Sequence, residues 1–224
     1  MGRAKEIIVK VIPSKLANDF VKKHHYSGKV VQNSALHFGC FLDGTLHGVM
    51  SYGSPMKKNL VINLAQPSQW NEMLELNRMA FDEYLPKNSE SRCIAISIKL
   101  LKKNAPHIKW ILSYSDATQC GDGAIYRASG FLLTAIKKNV GIIELADGTI
   151  TARMTFTKDK YILSQSGRAG VPDGSKPLNG FQLRYIYLID KSCKITVPTI
   201  PFSEIEKAGA GMYKGQKKQS AVIV

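Results

Sequence analysis

The amino-acid sequence predicts one mixed α/β domain with a largely antiparallel sheet and few helices. Short runs that alternate apolar or β-branched residues with polar ones recur along the chain, which is typical of strands. Asp43-Gly44 lies between two such runs, and this dipeptide favours a two-residue hairpin turn. Apolar residues at helical spacing are confined to a few stretches, notably those that follow Ser14 and Ser89.

Local signals set the order of the elements. Pro13 ends the first strand because it has no amide hydrogen, and Ser14 is predicted to cap a helix that Gly28 ends. Pro86 breaks a later strand, and Ser89 is predicted to cap the next helix. The predicted strands are residues 5–12, 35–42, 46–52, 74–81, 110–114, 131–136, 142–145, 149–156 and 181–190, with a short helix at 123–129.

The domain organisation is predicted to be simple. Residues 1–198 form one domain, and residues 199–224 form a C-terminal tail of the 224-residue chain. Within the domain, residues 157–180 combine glycines, prolines and serines with basic side chains, which indicates a long basic loop.

Basic residues are in large excess, which bears on the kind of partner. Lysine and arginine number 31 against 17 acidic residues, so the net charge is +14. Because each phosphate neutralised by a cationic side chain releases counterions, a polyanionic partner is the simplest explanation, and a merely soluble basic protein is the alternative. The four cysteines include no CxxC pair, which argues against a zinc ribbon or a disulfide framework and favours a reducing cytoplasm. No apolar run approaches the ~18 residues of a membrane span, so no membrane partner is expected.

The segment from residue 75 to residue 131 carries the clearest chemical pattern. A strand, a polar turn, a helix, a second strand and a short helix follow one another, and the last helix ends in Tyr126-Arg127-Ala128-Ser129-Gly130-Phe131. The unpaired amides and partial positive charge of a helix N-terminus attract phosphate, and Lys87 and Arg92 would add charge to this turn. A plain capped helix that binds nothing is the alternative for the turn taken alone.

This order of elements resembles the acyl-CoA-binding core of the GNAT acetyltransferases. The resemblance implies a turn that holds the pyrophosphate of coenzyme A, a preceding strand whose backbone pairs with the pantetheine arm, and Tyr126 as the acid that protonates the departing thiolate. The usual glycine-rich turn is replaced here by PKNSESR. The residues that the resemblance assigns to coenzyme A are Met79, Ala80, Phe81, Lys87, Asn88, Ser89, Ser91 and Arg92.

A narrower resemblance covers most of residues 10–190. ELNRMAF, LPKNSESRCI, SYSD with a tyrosine ten residues beyond its aspartate, and HHYSG together resemble the Mom DNA-modification proteins of Mu-like phages. This resemblance implies an enzyme that converts the exocyclic amine of adenine in double-stranded DNA to a methylcarbamoyl (acetamido) form, in the cytoplasm of a bacterial host. The modification would protect phage DNA from host restriction. The resemblance also implies acetyl-CoA or a related acyl-CoA, and a bound iron ion.

The candidate catalytic residues are His25, Tyr26, Tyr114, Asp116 and Tyr126. The family resemblance makes all of them except Tyr114 candidate iron ligands, since imidazole, carboxylate and phenolate suit iron. Each has a structural alternative: His25 and Tyr26 lie at a helix end, Asp116 suits an N-cap, and Tyr126 suits an aromatic core. Tyr126 cannot easily be iron ligand and general acid in one step, so its role stays open.

Basic side chains that would face a DNA duplex are spread over the sequence, and each one alone is more often a solvated surface charge. The loop 157–180 could reach a groove and help to extrude the target base, because chemistry at N6 of a stacked adenine requires access. The candidates are Arg78, Arg127, Lys137, Lys138, Arg153, Lys158, Lys160, Arg168 and Arg184.

Two other functions are compatible with the sequence. One keeps the fold and changes the substrate, which gives an acetyltransferase that acts on a protein or a small amine. The other is a noncatalytic basic DNA-binding protein. Unmodified deoxyadenosine in DNA from cells that make the chain would rule out DNA modification and favour the first alternative. Unchanged protection of DNA from restriction in cells with alanine at Asp116 or Tyr126 would favour the second.

Overall fold

The computed structural model describes residues 3–119, 121–156, 171–213 and 216–217. Its strands are β1 Ile8–Val11, β2 Ser34–Leu42, β3 Thr45–Gly53, β4 Ala65–Gln66, β5 Met73–Phe81, β6 Trp110–Asp116, β7 Leu132–Asn139, β8 Ile142–Glu144, β9 Ile150–Ala152, β10 Lys176–Pro177, β11 Gly180–Leu188, β12 Lys194–Ile195, β13 Met212–Tyr213 and β14 Gln216–Lys217. Its α-helices are α1 Ser14–His24, α2 Lys58–Val61, α3 Ser89–Asn104, α4 Ala124–Ala128 and α5 Ser203–Lys207. Short 3-10 helices cover Arg3–Glu6, Ile62–Leu64 and Arg153–Thr155.

Seven strands form the main sheet in the order β1-β2-β3-β5-β6-β11-β7. The pairs β1–β2, β2–β3 and β3–β5 are antiparallel, whereas β5 and β6 are parallel. A parallel pair needs a crossover connection, and α3 supplies it between β5 and β6. The predicted class, mixed α/β with a largely antiparallel sheet and few helices, is confirmed.

The hairpin predicted at Asp43-Gly44 is present between β2 and β3. Asp43 has φ 52° and Gly44 has φ 78°, so both central residues of the turn are left-handed. This backbone twist matches the twist of the two strands, which is why Asp-Gly is favoured at such turns. Leu42 pairs with Thr45 directly across the turn.

The chain divides into two compact units. The first comprises Met1–Tyr114, Gly123–Ala135 and Arg184–Phe202, and the second comprises Ser115–Asp122, Ile136–Leu183 and Ser203–Val224. The single domain over residues 1–198 stays a prediction.

Two apolar clusters pack in the first unit. One, called here the β6 cluster, includes Met73, Trp110, Leu112 and Ile186. The other, the α1 cluster, packs Ala17 and Val21 of α1 together with Ile12, Val49 and Ala80. These side chains are almost completely excluded from water, and their burial is the main driving force for folding of the unit.

Helix α3 packs through the apolar face that its sequence predicts. Ile94, Ile98 and Leu101 are buried on it. Ser97 on the same helix hydrogen-bonds through its hydroxyl to the hydroxyl of buried Tyr52 on β3, at 2.6 Å between the oxygens. The helix therefore makes contact with the sheet through a satisfied polar pair as well as through apolar packing.

The second unit contains a small sheet in the order β10-β8-β9. Its residues 203–213 include α5 and buried Ile205 and Ala210, although the sequence assigns them to a tail. Most of the predicted basic loop, residues 157–170, lies outside the described residues.

Several predicted boundaries shift in the structure. The first strand begins only at Ile8, because Arg3–Glu6 form a 3-10 helix. The strand predicted over 149–156 ends at Ala152 and is followed by another 3-10 helix. Ser14 and Ser89 are the first residues of their helices rather than the caps, which are Pro13 and Asn88. None of the helices in the described part is both long and apolar enough to span a bilayer.

Candidate active site

A bulge in β5 brings two charged residues onto one face of the sheet. Ser51 of β3 pairs with Arg78, but its neighbour Tyr52 pairs with Leu76, so Asn77 is an extra residue in β5. Side chains normally alternate between faces along a strand, and an extra residue reverses the alternation beyond it. Glu75 pairs with Gly53, which lies two residues beyond Ser51 on β3. Glu75 and Arg78 therefore share a face although they are three residues apart.

The two charges lie between the apolar clusters. Toward the start of β5, Met73 belongs to the β6 cluster, and toward its end Ala80 belongs to the α1 cluster. Ser51, opposite Arg78, is 2 % exposed and hydrogen-bonds through its hydroxyl to Nδ1 of His37 at 2.8 Å. The middle of the strand is thus polar where its two ends are apolar, and this polar stretch is the candidate active site.

Glu75 is the residue that the sequence analysis missed. Burial raises the pKa of its carboxyl to about 7, against an opposing effect of the nearby Arg78 charge. Among the described residues the carboxyl has no hydrogen-bond or salt-bridge partner. The available signal was a carboxylate inside an apolar strand, which needs a partner or a function.

Arg78 is tied to the chain that follows α1. Its Nε donates a hydrogen bond to the carbonyl oxygen of Lys29 at 2.8 Å, and burial lowers the pKa of its guanidinium. Tyr26, Glu75 and Tyr126 lie close enough to counteract that lowering electrostatically. Arg78 is therefore the common neighbour of two predicted catalytic tyrosines.

His25 is held as a neutral imidazole. Its Nδ1 accepts a hydrogen bond from the backbone amide of Ser27 at 3.1 Å and lies 2.8 Å from the Ser27 hydroxyl. Burial, reinforced by the positive charge of Arg78, lowers its pKa to about 4. The adjacent Tyr26 is 49 % exposed, and its ring centroid lies 4.3 Å from that of His25.

Tyr126 is both an aromatic core residue and a neighbour of Arg78. Its ring is 6 % exposed and lies 5.4 Å from the Phe131 ring and 5.3 Å from the Tyr185 ring, between centroids. Gly123 precedes α4 with φ 73°, and a Cβ added there would lie 2.5 Å from the Tyr185 ring. The glycine is therefore needed both for its backbone conformation and for the close approach of Tyr185.

Tyr114 and Arg184 extend the polar stretch across the first unit. Burial raises the pKa of the Tyr114 hydroxyl, and the Glu75 charge adds to this effect. Arg184 donates from Nε to the Thr134 hydroxyl at 2.9 Å and from Nη2 to the Thr134 carbonyl at 3.1 Å. Burial lowers the pKa of Arg184, and its charge acts on Tyr114.

Asp116 falls in the second unit. Its Oδ1 accepts hydrogen bonds from the Thr118 amide at 2.9 Å and from the Asn139 side chain at 3.4 Å, and its Oδ2 accepts one from Gln119 at 3.3 Å. Asp116 therefore caps the turn that follows β6, as its structural alternative predicts. Its catalytic role stays a prediction.

The parallel strands β5 and β6 pair over only part of their length. Their ladder runs from Met73 opposite Trp110 to Leu76 opposite Ser113 and stops there, although β5 continues to Phe81. The edge of β5 beyond Leu76 is thereby open to a ligand with amide groups of its own. Met79, Ala80 and Phe81 lie on this stretch, as the proposed contact with a pantetheine arm requires.

The turn that leads into α3 leaves its helix N-terminus uncapped. Asn88 has φ 68° and makes no side-chain hydrogen bond to the first turn. Ser89 and Ser91 instead donate their hydroxyls to the carbonyls of Pro86 and Asn88. Arg92 donates to the carbonyl of Lys5 at 3.3 Å, so of the two basic residues predicted here Lys87 is the exposed one.

Some residues predicted to bind DNA belong to the polar stretch, and others are exposed on the surface. Arg78 and Arg184 belong to the polar stretch, whereas Lys137, Lys138 and Arg153 are exposed. The guanidinium of Arg127 lies 5.5 Å from the centroid of the Phe202 ring. Lys158, Lys160 and Arg168 lie outside the described residues.

The donors predicted for iron are arranged for other contacts. No three His, Cys, Asp or Glu side chains gather into a metal-binding group within residues 3–119, 121–156, 171–213 and 216–217. Because Nδ1 of His25 accepts from an amide, the ring proton of the neutral imidazole belongs on Nε2, whereas a metal-bound histidine donates its second nitrogen to a neighbour. The adjacent Arg78 charge also disfavours a cation. His25, as it is held here, therefore does not fit an iron ion.

An exposed aromatic and basic surface precedes β5. Met56, Leu60 and Trp70 are 78 %, 67 % and 72 % exposed, and we call these three residues with Lys57 and Lys58 the Trp70 surface. The Lys58 Nζ lies 4.9 Å from the centroid of the Trp70 ring. Lys58 and Trp70 therefore lie together on the surface, in a segment that also exposes two further large apolar side chains.

Comparisons with known proteins give the following similarities. The model of the Mom protein family matches residues 6–204. The methylcarbamoylase Mom of Escherichia phage Mu is 35 % identical over 129 residues, which are 57 % of this chain and 53 % of that protein. The chain thus spans about half the length of the curated relative it matches.

Solved acetyltransferases also align with the chain. A GNAT family acetyltransferase from Elizabethkingia anophelis with acetyl-CoA bound is 15 % identical, with a TM-score of 0.47, covering 82 % of this chain and 98 % of that chain. An IAA acetyltransferase from Bacillus cereus is 12 % identical, with a TM-score of 0.46, covering 81 % of this chain and 99 % of that chain.

Proposed function

Because the chain belongs to the Mom protein family, we propose that it modifies the exocyclic amine of adenine in double-stranded DNA to a methylcarbamoyl (acetamido) form. The phage relative is named for this type of transfer. The single structural observation that supports the proposal is the polar stretch of β5, where Glu75 and Arg78 share a face beside an open strand edge. We infer that the protein acts on phage DNA in the cytoplasm of a bacterial host.

The donor is proposed to be an acyl-CoA thioester. The unpaired edge of β5 suits the amides of a pantetheine arm, and the uncapped first turn of α3 suits a pyrophosphate. Lys87 is exposed beside that turn and would add positive charge. Ser91 would contribute its backbone amide, because its hydroxyl already donates to the Asn88 carbonyl. The amide and the hydroxyl of Ser89 both donate to the Pro86 carbonyl.

The chemical roles of the side chains follow from their positions. Transfer of the acetyl group from the thioester to N6 would release the thiol of coenzyme A and give acetyladenine, which lacks one nitrogen of the methylcarbamoyl product. In that transfer Arg78 would stabilise the negative charge that develops on the thioester oxygen, because a cation that is already fixed in place needs no reorganisation during the reaction. Tyr126 would supply the proton to the departing thiolate, and Tyr26 borders the same guanidinium. Asp116 and Tyr114 stay candidates for the same chemistry. No step is assigned to a metal, since the predicted donors make other contacts.

The duplex is proposed to contact the Trp70 surface. Lysines neutralise phosphates, and an exposed tryptophan offers a stacking platform or a wedge to a base that leaves the helix. Glu72, the acid nearest to Trp70 in sequence, is paired with Lys109 at 2.8 Å, so it does not repel a polyanion strongly. The surface also lies on the segment that leads directly into β5 and hence toward Glu75.

Replacing Trp70 with alanine is expected to weaken duplex DNA binding roughly tenfold or more, because a base loses its stacking partner. Binding is measured by fluorescence anisotropy of a labelled duplex at fixed salt. Tyr84→Ala is the matched control, since Tyr84 is also an exposed aromatic but follows the opposite end of β5. Equal binding by Trp70→Ala and Tyr84→Ala would contradict a role of the Trp70 surface.

The proposed function is tested by the nucleoside masses of DNA from cells that make the chain. A modified deoxyadenosine supports the proposal. Unmodified DNA together with acetylated protein or small amines would favour an acetyltransferase of another substrate class. Unmodified DNA with tight duplex binding would favour a noncatalytic DNA-binding protein.

A further inference from the structure

We propose that Glu75 binds the target adenine by its amine edge, as a neutral carboxyl that accepts a hydrogen bond from the exocyclic amine and donates one to the neighbouring ring nitrogen. This inference rests on the proposed function, because it concerns the base on which that function acts. It assigns a base-binding role to a residue for which the family resemblance gives none.

The first support is that Glu75 has unused hydrogen-bonding capacity in a polar site. The charge of Arg78 acts on Glu75, but Arg78 directs Nε to the Lys29 carbonyl and Nη1 to the Asn77 carbonyl at 2.8 and 3.4 Å. Across the strands, Glu75 faces Gly53 on β3 and Leu112 on β6, neither of which has a polar side chain. A half-buried carboxyl without a partner within the described chain is available to hydrogen-bond a ligand.

The second support is chemical complementarity. A protonated carboxyl carries one donor and one acceptor side by side. The amine edge of adenine presents an N–H donor beside a ring-nitrogen acceptor, as it does at N6 and N7 in the major groove. A neutral carboxyl can form both hydrogen bonds at once, whereas a carboxylate would repel the lone pair of the ring nitrogen. The pair would fix the amine at the bulge, beside Arg78.

The surroundings of Glu75 favour its neutral form. The charged and titratable groups that face it are Arg78 on its own strand and Tyr114 on β6, while Arg184 on β11 acts on Tyr114. Arg78 favours the carboxylate, but burial outweighs it and raises the pKa of Glu75 to about 7. The carboxyl is therefore protonated below that pH and loses its proton above it, so adenine binding through Glu75 should weaken as the pH rises through about 7.

The position of Glu75 also separates base from donor. It lies near the start of β5, directly after the segment that carries Trp70, whereas the turn proposed for the pyrophosphate follows the other end of the strand. DNA would therefore enter from the Trp70 surface while the thioester arm enters from the α3 side. The two would meet at the bulge between Glu75 and Arg78.

The test uses Glu75→Gln and Glu75→Ala, with folding checked by circular dichroism and thermal melting. Glutamine carries a donor and an acceptor like the neutral acid but cannot take a proton. Initial rates on duplex DNA and binding of deoxyadenosine monophosphate by calorimetry are measured between about pH 5.5 and 8.5, across the titration of the carboxyl. The second readout does not depend on turnover.

We expect the affinity of the wild-type protein for the nucleotide to fall relative to that of Glu75→Gln as the pH rises through about 7, because residue 75 titrates only in the wild type and the nucleotide phosphate titrates equally for both proteins. Glu75→Ala is expected to bind roughly ten- to a hundredfold more weakly, since a bidentate contact is lost. Glutamine as inactive as alanine, with a wild-type rate that rises with pH, would overturn the proposal and indicate a general base.

The two proposals fail in different ways. If the wild type modifies DNA but the glutamine variant shows no rescue relative to alanine, the role of Glu75 is wrong and the function stands. If nucleotide binding follows the expected pattern but DNA stays unmodified, the adenine site stands and the proposed function is wrong. Should Glu75→Ala fail to fold, the pH dependence of Glu75→Gln against the wild type still decides the question.

Discussion

Replacing Arg78 with alanine is expected to reduce the rate of DNA adenine modification at least about a hundredfold, the usual effect of removing one preorganised stabiliser of transition-state charge. The guanidinium is held by the Lys29 carbonyl and lies beside Tyr26 and Tyr126. Its loss would also release the chain that follows α1. The measurement is the single-turnover rate on duplex DNA, which separates chemistry from binding.

Two further variants sharpen this prediction. Arg78→Lys keeps the charge but loses the planar fork, so we expect only partial activity if hydrogen-bonding geometry matters. Arg3→Ala removes an equal charge from an exposed arginine that pairs with Glu6 and Asp43, and it should leave the rate unchanged. A folded Arg78→Ala protein with the rate of Arg3→Ala would contradict the assignment of the site.

Replacing Gly123 with alanine is expected to destabilise the protein by about 2–4 kcal/mol. About 1 kcal/mol comes from a side chain in left-handed backbone, and about 1–3 kcal/mol comes from forcing a methyl group against Tyr185. For a chain of this size that loss lowers the melting temperature by roughly 5–15 °C. Because Tyr185 packs on Tyr126, the substitution should also reduce activity below the melting transition.

Gly44 provides the control for this prediction. It has φ 78°, close to the 73° of Gly123, but a Cβ there would meet nothing within 4 Å. Gly44→Ala should therefore show only the backbone cost of about 1 kcal/mol. Equal melting temperatures for the two variants would show that the contact with Tyr185 contributes nothing.

Local sequence signals predicted the elements that depend on local chemistry. Asp43-Gly44 specified its hairpin because both residues tolerate left-handed backbone, and the spacing of Ile94, Ile98 and Leu101 specified the buried face of α3. These features are encoded within a few residues of one another.

The bulge at Asn77 was not predictable in the same way. LELNRMAF alternates well enough to be assigned to a strand, but one extra residue is defined only by the register with β3. Without it, Glu75 and Arg78 would be assigned to opposite faces. The shared face, and with it the role of Glu75, depends on pairing between residues far apart in the sequence.

The N-terminus of α3 shows a related limit. Serine is a residue type that often caps helices, but the hydroxyl of Ser89 donates to the Pro86 carbonyl. Asn88, in left-handed backbone, occupies the N-cap position instead. Both arrangements satisfy the same local preferences, so the sequence does not choose between them. The difference matters because it leaves the first turn uncapped.

The central claim, that this polar site modifies adenine in DNA, is tested most directly by the nucleoside masses of DNA from cells that make the chain. DNA from cells with the wild-type protein should contain deoxyadenosine heavier by one acetamido group, and DNA from cells with Arg3→Ala should contain it equally. Cells with Arg78→Ala should show little or none of it. If all deoxyadenosine is unmodified in cells that contain the folded wild-type protein, the claim is contradicted.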